Sequence, residues 1–129
     1  DNGHTYITDT NGRVSKVEGG LSLEAMDRNK YQQGCAGQSG CVGDDGGHLI
    51  ASSLGGADDR INLVPQESML NQGDWRAMEN YLRGELQAGK SVSVKIEVGY
   101  SDAGGVRPSE FRVIAVVDSR VQPPRIFNQ

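Results

Sequence analysis

The sequence predicts a single α+β domain, because one amphipathic helical pattern lies among several strand patterns. In the helical pattern, at about residues 73–88, apolar residues recur every three to four positions. Two long strand patterns follow at 91–100 and 109–118, and the first alternates strictly between apolar and polar residues. The sequence contains no internal repeat or linker, so we expect residues 1–129 to form one domain.

The first predicted elements are a hairpin and a long irregular segment. Residues 4–8 and 14–17 are strand-like, and an Asn-Gly turn lies between them at 10–13. From residue 27 to residue 47 the chain is polar and glycine-rich, with little periodicity. This composition predicts an irregular segment, and irregular segments of that length are often functional.

Two short strands are predicted next, at 48–52 and 61–64, with a glycine loop between them at 54–59. We expect Pro65 to end the second strand, because proline cannot donate a hydrogen bond to a neighbouring strand.

The main helix is predicted from one apolar face and a glycine stop. Gly89 is placed to end it. The residues on the apolar face are Trp75, Met78, Leu82 and Leu86. The tail at 119–129 carries two prolines, and we expect it to lie loosely on the surface.

Composition and charge exclude several protein classes. The 129 residues include 13 Lys plus Arg and 17 Asp plus Glu, a net charge of −4, which excludes a basic nucleic-acid coat protein. No apolar run is long enough for a transmembrane helix, so no membrane partner is expected. The chain starts at Asp1 without a signal-peptide pattern, and we interpret it as a processed product or an excised domain.

Few residues have an obvious chemical role. Cys35 and Cys41 are too few for a cysteine zinc site, and the sequence leaves open a small disulfide loop or two free thiols. For His4, in the first strand, we expect a surface position or a satisfied structural role. His48 follows Asp44-Asp45-Gly46-Gly47, where a carboxylate contact would make the imidazole a base. Taken alone, that pattern still favours a structural histidine.

The flank of the helix allows two interpretations. Glu79 and Arg83 are four residues apart, which is typical of a surface salt bridge. The same pair, facing His48, would suit Mg²⁺ and a phosphate group. Periodicity alone does not choose between them.

Four sequence blocks carry a family resemblance over about residues 44–84. They are His48-Leu-Ile-Ala-Ser, Asn62-Leu-Val-Pro-Gln, Leu70-Asn-Gln-Gly-Asp-Trp and Met78-Glu-Asn. Their order and spacing resemble the DNA/RNA non-specific endonucleases, which are ββα-metal (His-Me finger) nucleases with an Asp-Arg-Gly-His motif. The runs TYITDTNGRVSKVEGGL and RNKYQQ resemble the subgroup found at the C-termini of bacterial polymorphic toxins. The resemblance implies a ββα-metal core with a mainly antiparallel sheet and one principal helix.

The resemblance also implies roles for individual residues. His48 matches the general base that activates water, and Asn71 matches the direct protein ligand of a single Mg²⁺. Glu79 matches the carboxylate that holds the ion through water, and Arg83 matches the arginine that binds phosphate or stabilises transition-state charge.

Three further residues are assigned to substrate binding by the same resemblance. Arg28 matches a second phosphate-binding arginine, and Asp45 and Asn62 match positions expected to position the His48 loop. Gly46 stands where the family motif has arginine, which puts rate or substrate choice in doubt more than the reaction itself. A local basic cluster is expected from Arg28, Lys30, Arg76 and Arg83.

The resemblance therefore implies a Mg²⁺-dependent endonuclease of DNA, with RNA as a second candidate substrate and Mn²⁺ as a substitute metal. It further implies a toxin domain that is secreted or delivered into a target cell by a type VII, type VI or Rhs system. Such a toxin would act in the target cytoplasm and require a cognate immunity protein. Two alternatives remain: an impaired nucleic-acid-binding module on the same fold, and a secreted scavenging or virulence nuclease.

Overall fold

The computed structural model describes residues 3–24, 30–57, 59–101 and 104–129, without the side chains of Lys30 and Tyr31. It confirms the predicted α+β class. In chain order the elements are β1 (Thr5–Thr8), β2 (Val14–Gly20), α1 (Lys30–Gln38), β3 (Asp44–His48), β4 (Leu63–Glu67), α2 (Ser68–Gln72), α3 (Asp74–Gln87), β5 (Val92–Gly99), β6 (Glu110–Val117), β7 (Arg120–Val121) and β8 (Arg125–Asn128). Short 3₁₀ turns lie at Ser52–Leu54 and Arg60–Asn62.

A large antiparallel sheet forms one layer of the molecule. Its strand order is β1-β2-β5-β6-β7, and β8 also pairs with β6. The central pair, β5 and β6, is in register from Val92 opposite Val117 to Gly99 opposite Glu110. The predicted strands at 91–100 and 109–118 are thus confirmed, and the apolar residues of β5 are buried as the alternation requires.

Helix α3 packs its apolar face against this sheet. Trp75, Met78 and Leu82 are buried in the core, and Leu86 packs at its edge. The chain leaves the helix through Gly89, whose φ of +86° favours glycine. The predicted helix is therefore confirmed within one residue at each end. Among the described helices, none has the length and apolar character needed to cross a membrane.

The second layer is a two-stranded hairpin, and here the sequence predictions need correction. Strand β3 ends at His48, where a strand was predicted to begin, and it lies within the segment predicted to be irregular. The same segment contains α1, which has only a weak amphipathic pattern and packs on β3 and β4. Glycines at its contact with β3 permit that close packing, a tertiary effect that local periodicity does not reveal.

Strand β4 continues through Pro65, contrary to the prediction that it ends there. Pro65 lies opposite Gly46, and its carbonyl accepts a hydrogen bond from Gln129 Nε2 at 3.1 Å, on the side away from β3. The amide nitrogen of a strand residue points to the same side as its carbonyl, so proline removes no hydrogen bond between β3 and β4. An edge strand of this kind tolerates proline.

The C-terminal tail is ordered in the sheet, which corrects the expectation of a loose surface segment. Strand β8 pairs with β6, and the Phe127 ring lies 5.0 Å from the Trp75 ring in a T-shaped contact. The side chain of Gln129 accepts from Glu67 N at 2.8 Å and donates to the carbonyl of Pro108 at 2.7 Å. The tail thus joins the hairpin to the large sheet.

Three smaller expectations can also be compared with the structure. Cys35 and Cys41 are free thiols. His4 is buried, and its Nε2 donates to the carbonyl of Gly20 at 2.8 Å, so it is a structural histidine. The turn between β1 and β2 has Gly12 at a φ of +76°, as the Asn-Gly pair predicts.

The contact between the tail and Trp75 predicts the effect of shortening one side chain. Phe127→Ala should lower the free energy of unfolding by about 2 kcal/mol, because it removes a half-buried ring from the core edge. Ile126→Ala is the matched control, since Ile126 is 57% exposed and should cost less than about 0.5 kcal/mol. Urea denaturation measures both values. Equal losses for the two variants would show that the tail does not support the core.

Candidate active site

A cleft of about 400 Å³ lies between the end of β3, the first 3₁₀ turn, and helices α2 and α3. It brings together His48, Asn71, Glu79 and Arg83, which come from three separate parts of the chain. The other residues that line it are Gln33, Ala51, Ser52, Ser53, Gln72, Arg76 and Asn80. Four of the residues assigned from the sequence therefore face one space.

The position of His48 at the cleft depends on Asn62. The Asn62 side chain accepts from Ile50 N at 3.0 Å and donates to the carbonyls of Ile50 and Ala57, each at 2.8 Å. These bonds fix the chain immediately after His48. Asn62 has no exposed surface and its side chain bonds to the backbone, so we interpret its contribution as positional.

Asp45 orients the amide of Asn71. Its carboxylate accepts hydrogen bonds from Ser68 Oγ at 2.9 Å and from Asn71 Nδ2 and Gln72 Nε2 at 3.0 Å each. Burial raises the pKa of Asp45, but these three hydrogen bonds outweigh it and hold that pKa below its usual value. Because Nδ2 of Asn71 faces Asp45, its Oδ1 faces the other way.

Glu79 is a half-buried carboxyl group on the cleft side of α3. Burial raises the pKa of Glu79 to about 7, and the positive charges of Arg83 and Arg76 offset this only in part. Glu79 and Arg83 are not among the salt bridges of the described residues, so the simple surface-pair interpretation does not describe their geometry.

Arg83 is held in place by neutral oxygen atoms. Its Nη1 donates to Asn80 Oδ1 at 2.6 Å, and its Nη2 donates to Ser53 Oγ. Sequence reasoning missed both acceptors. Asn80 is the last residue of the Met78-Glu-Asn block and Ser53 directly follows the His48-Leu-Ile-Ala-Ser block, but neither pattern indicates a contact with Arg83, and the Ser53 pairing spans 30 positions.

The predicted basic cluster is described only in part. Arg28 lies outside the described residues, and the Lys30 side chain is not described either. Arg76 and Arg83 both line the cleft. Two of the four basic side chains of the predicted cluster therefore line the same cleft as His48.

Gly46, the departure from the family motif, lies beneath helix α1. A Cβ atom there would overlap the carbonyl oxygen of Gln33, whose Nε2 donates to the carbonyl of Gly46 at 2.9 Å. The helix thus occupies the space that a side chain at position 46 would need. Gln33 also lines the cleft, a position that the sequence run RNKYQQ did not reveal.

The donor set in the cleft fits a hard divalent cation. The Oδ1 atom of Asn71 faces away from Asp45, and the half-buried Glu79 carboxyl has no full charge compensation. In the described parts of the chain, no three His, Cys, Asp or Glu side chains form a metal cluster. A cation here would be held by an amide oxygen, one carboxylate and water, which is a ligand set that Mg²⁺ accepts.

The chain is similar in sequence to a family of nucleases and to two curated proteins. The family model for DNA/RNA non-specific endonucleases matches residues 1–119. The chain is 38% identical over 135 residues to the type VII secretion system protein EssD of Staphylococcus aureus strain USA300, covering 98% of this chain and 22% of EssD. It is 31% identical over 85 residues to the probable deoxyribonuclease RhsA of Dickeya dadantii, covering 66% of this chain and 6% of RhsA. The chain thus spans a small part of each relative.

Solved structures with the same fold include two nucleases. NucA from Streptococcus agalactiae, with magnesium bound, superposes with a TM-score of 0.74 at 17% identity, covering 91% of this chain and 65% of NucA. The Sda1 nuclease, with zinc bound, gives a TM-score of 0.75 at 16% identity, covering 98% of this chain and 74% of Sda1. These superpositions confirm the ββα-metal fold class.

The packing of α1 on Gly46 predicts opposite effects for two glycine substitutions. Gly46→Ala should lower the free energy of unfolding by about 2 kcal/mol, because its Cβ overlaps the Gln33 backbone. Gly34→Ala, in the same helix with open space around it, should raise stability by about 0.5–1 kcal/mol. Thermal and urea denaturation check both. A neutral Gly46→Ala, or a Gly46→Arg variant of full stability, would contradict the packing.

The raised pKa of Glu79 predicts a pH-dependent stability difference. The folded protein binds this proton more tightly than the unfolded chain, so the free energy of unfolding falls as pH rises from about 4.5 to about 7. Glu79→Gln removes that loss. In EDTA, the free energy of unfolding of Glu79→Gln minus that of the wild type should be about 2 kcal/mol greater at pH 8 than at pH 5. Urea denaturation at the two pH values measures this, and an equal difference at both would show that Glu79 titrates normally.

Proposed function

The chain belongs to the DNA/RNA non-specific endonuclease family, and from this premise we propose that it is a Mg²⁺-dependent endonuclease with His48 as its general base. The proposed substrate is DNA, with RNA as a second candidate. The observation that carries the proposal is the single cleft lined by His48, Asn71, Glu79 and Arg83. Mn²⁺ is expected to substitute for Mg²⁺, since both suit oxygen ligands.

His48 accepts the proton of the attacking water. The hydrogen bonds of Asn62 to the backbone after His48 keep the imidazole in the lining of the cleft. General-base catalysis of this kind contributes about 10²- to 10⁴-fold to the rate. Only the neutral imidazole can accept the proton, so this role is lost when the ring is protonated.

Asn71 would hold the Mg²⁺ directly, and Glu79 would hold it through water. The Asp45 carboxylate keeps the Asn71 amide oriented with its oxygen available. When bound, the ion stabilises charge on the phosphoryl group and the leaving oxygen. A neutral amide ligand leaves the cation most of its positive charge, which suits that purpose.

Arg83 binds the scissile phosphate. Ser53 and Asn80 hold its guanidinium through two of its five N–H groups and leave the remaining donors for phosphate oxygens. Preorganised donors stabilise developing charge because they need no rearrangement during the reaction. Contacts to phosphate rather than to base edges carry no sequence information, which supports non-specific cleavage.

The biological context follows from the relatives. The EssD and RhsA proteins that match this chain are a type VII secretion system protein and a probable deoxyribonuclease. We therefore propose that the domain is the toxin part of a larger secreted effector that acts in the cytoplasm of a target cell. A nuclease without sequence specificity would kill its producer, so the proposal includes a cognate immunity protein that covers the cleft.

The decisive experiment incubates supercoiled plasmid with the purified chain in Mg²⁺ or in EDTA. Nicking and degradation should occur only with Mg²⁺, and His48→Ala should lower the rate by about 10²- to 10⁴-fold, since the base is removed. Arg112→Ala is the control, because Arg112 is exposed on the large sheet and should leave the rate unchanged.

Intact plasmid with Mg²⁺ and with Mn²⁺, together with intact RNA, would overturn the nuclease proposal. The impaired binding module on the same fold would then be the better description. Equal rates for His48→Ala and the wild type would instead retain the nuclease and reject His48 as its base.

A further inference from the structure

A second, larger groove adjoins the cleft. It has a volume of about 850 Å³ and runs from α3 along β3 toward α1 and the turn at residues 40–43. Four residues line both the groove and the cleft: Gln33, Asn71, Gln72 and Arg76. A chain bound in the cleft therefore has a continuous path into the groove.

The groove is suited to an anionic chain because its carboxylates are already engaged. Asp44 is paired with Arg107, at 2.7 Å from Nε and 3.1 Å from Nη2. Asp45 accepts the hydrogen bonds of Asn71, Gln72 and Ser68. Much of the remaining lining consists of glycines and neutral amides, which leave room for a backbone to approach.

Arg76 stands at the junction of the two spaces. Its side chain is exposed and makes no hydrogen bond or salt bridge with the described residues, whereas Arg83 is fixed by Ser53 and Asn80. The two arginines are seven positions apart on α3, or about 10 Å along the helix axis. They are therefore spaced to contact different phosphates of one strand.

We propose that this groove is a nucleotide-binding subsite in which Arg76 binds a phosphate next to the scissile one. The ligand is a phosphodiester chain, and DNA and RNA share that chemistry. The inference rests on the proposed function, because it takes the cleft as the place where the chain is cut. Arg76 would then favour polymeric substrates over a single phosphodiester.

The test compares substrates with one phosphate and with many. Thymidine 5′-(4-nitrophenyl phosphate) offers only the scissile group, whereas eight-residue DNA and RNA oligonucleotides also fill the groove. Arg76→Ala should lower kcat/KM on the oligonucleotides about tenfold. On the ester, the loss should be at least five times smaller, about twofold or less. The substitution should also reduce the slope of log kcat/KM against log salt by about 0.7, the value for one single-strand phosphate contact.

Arg120→Ala removes the same charge at a site remote from the groove, in β7, and should match the wild type on both substrates. Equal losses on the ester and the oligonucleotides would place Arg76 at the scissile phosphate and overturn the subsite. Equal losses for Arg76→Ala and Arg120→Ala would show that Arg76 acts only through the net charge of the protein. No loss for Arg76→Ala would show that Arg76 does not bind the substrate.

A binding measurement separates this proposal from the nuclease proposal. Fluorescence anisotropy of a labelled eight-residue DNA is measured with His48→Ala and with the double variant His48→Ala/Arg76→Ala. The subsite predicts at least fivefold weaker binding by the double variant, even if the wild type proves inactive. Equal affinities would overturn the subsite while leaving the nuclease proposal intact.

Discussion

The packing of Trp75 is the contact on which the cleft depends. Its ring has no exposed surface and lies between Phe111 of β6 and Phe127 of β8, with ring centroids 5.1 and 5.0 Å away. Because Trp75 fixes the rotation of α3 against the sheet, the flank that carries Glu79 and Arg83 must face the hairpin. The same helix thus belongs to the core on one side and to the candidate active site on the other, and a rotation of α3 would disturb both.

The hairpin forms the opposite wall of the cleft, and hydrogen bonds of polar side chains hold that wall in place. Asn62 satisfies three backbone groups after His48, and Asp45 accepts hydrogen bonds from three side chains of α2. Buried polar groups that lack partners are costly, so these networks also fix a single conformation. The Asn71 amide and the backbone that follows His48 are consequently held before any substrate or cation arrives, as electrostatic stabilisation of a transition state requires.

Periodicity predicted the parts of the fold whose burial is local. The apolar face of α3 and the alternation in β5 are readable directly from the sequence, since one face of each element is buried. Helix α1 was missed because its contact with β3 depends on glycines that pack closely in the fold, and β8 was missed because Phe127 packs against Trp75 and the core, which lie far from it in sequence. For the candidate site, the four sequence blocks identified the residues that the cleft brings together. Asn80 lies in a matched block and Gln33 in the run RNKYQQ, but neither pattern indicates the group that the side chain contacts. Ser53 contacts Arg83, 30 positions away, and no local pattern marks that contact.

The central claim is that the cleft holds a divalent cation through Asn71 beside His48. Electron paramagnetic resonance of Mn²⁺ titrated into the wild type and into Asn71→Ala tests it directly, without depending on a substrate. The account predicts one bound ion per wild-type chain, displaced by Mg²⁺, and at least tenfold weaker binding by Asn71→Ala at unchanged stability. Equal Mn²⁺ affinity of the two proteins would contradict it, because the cation would then be held elsewhere.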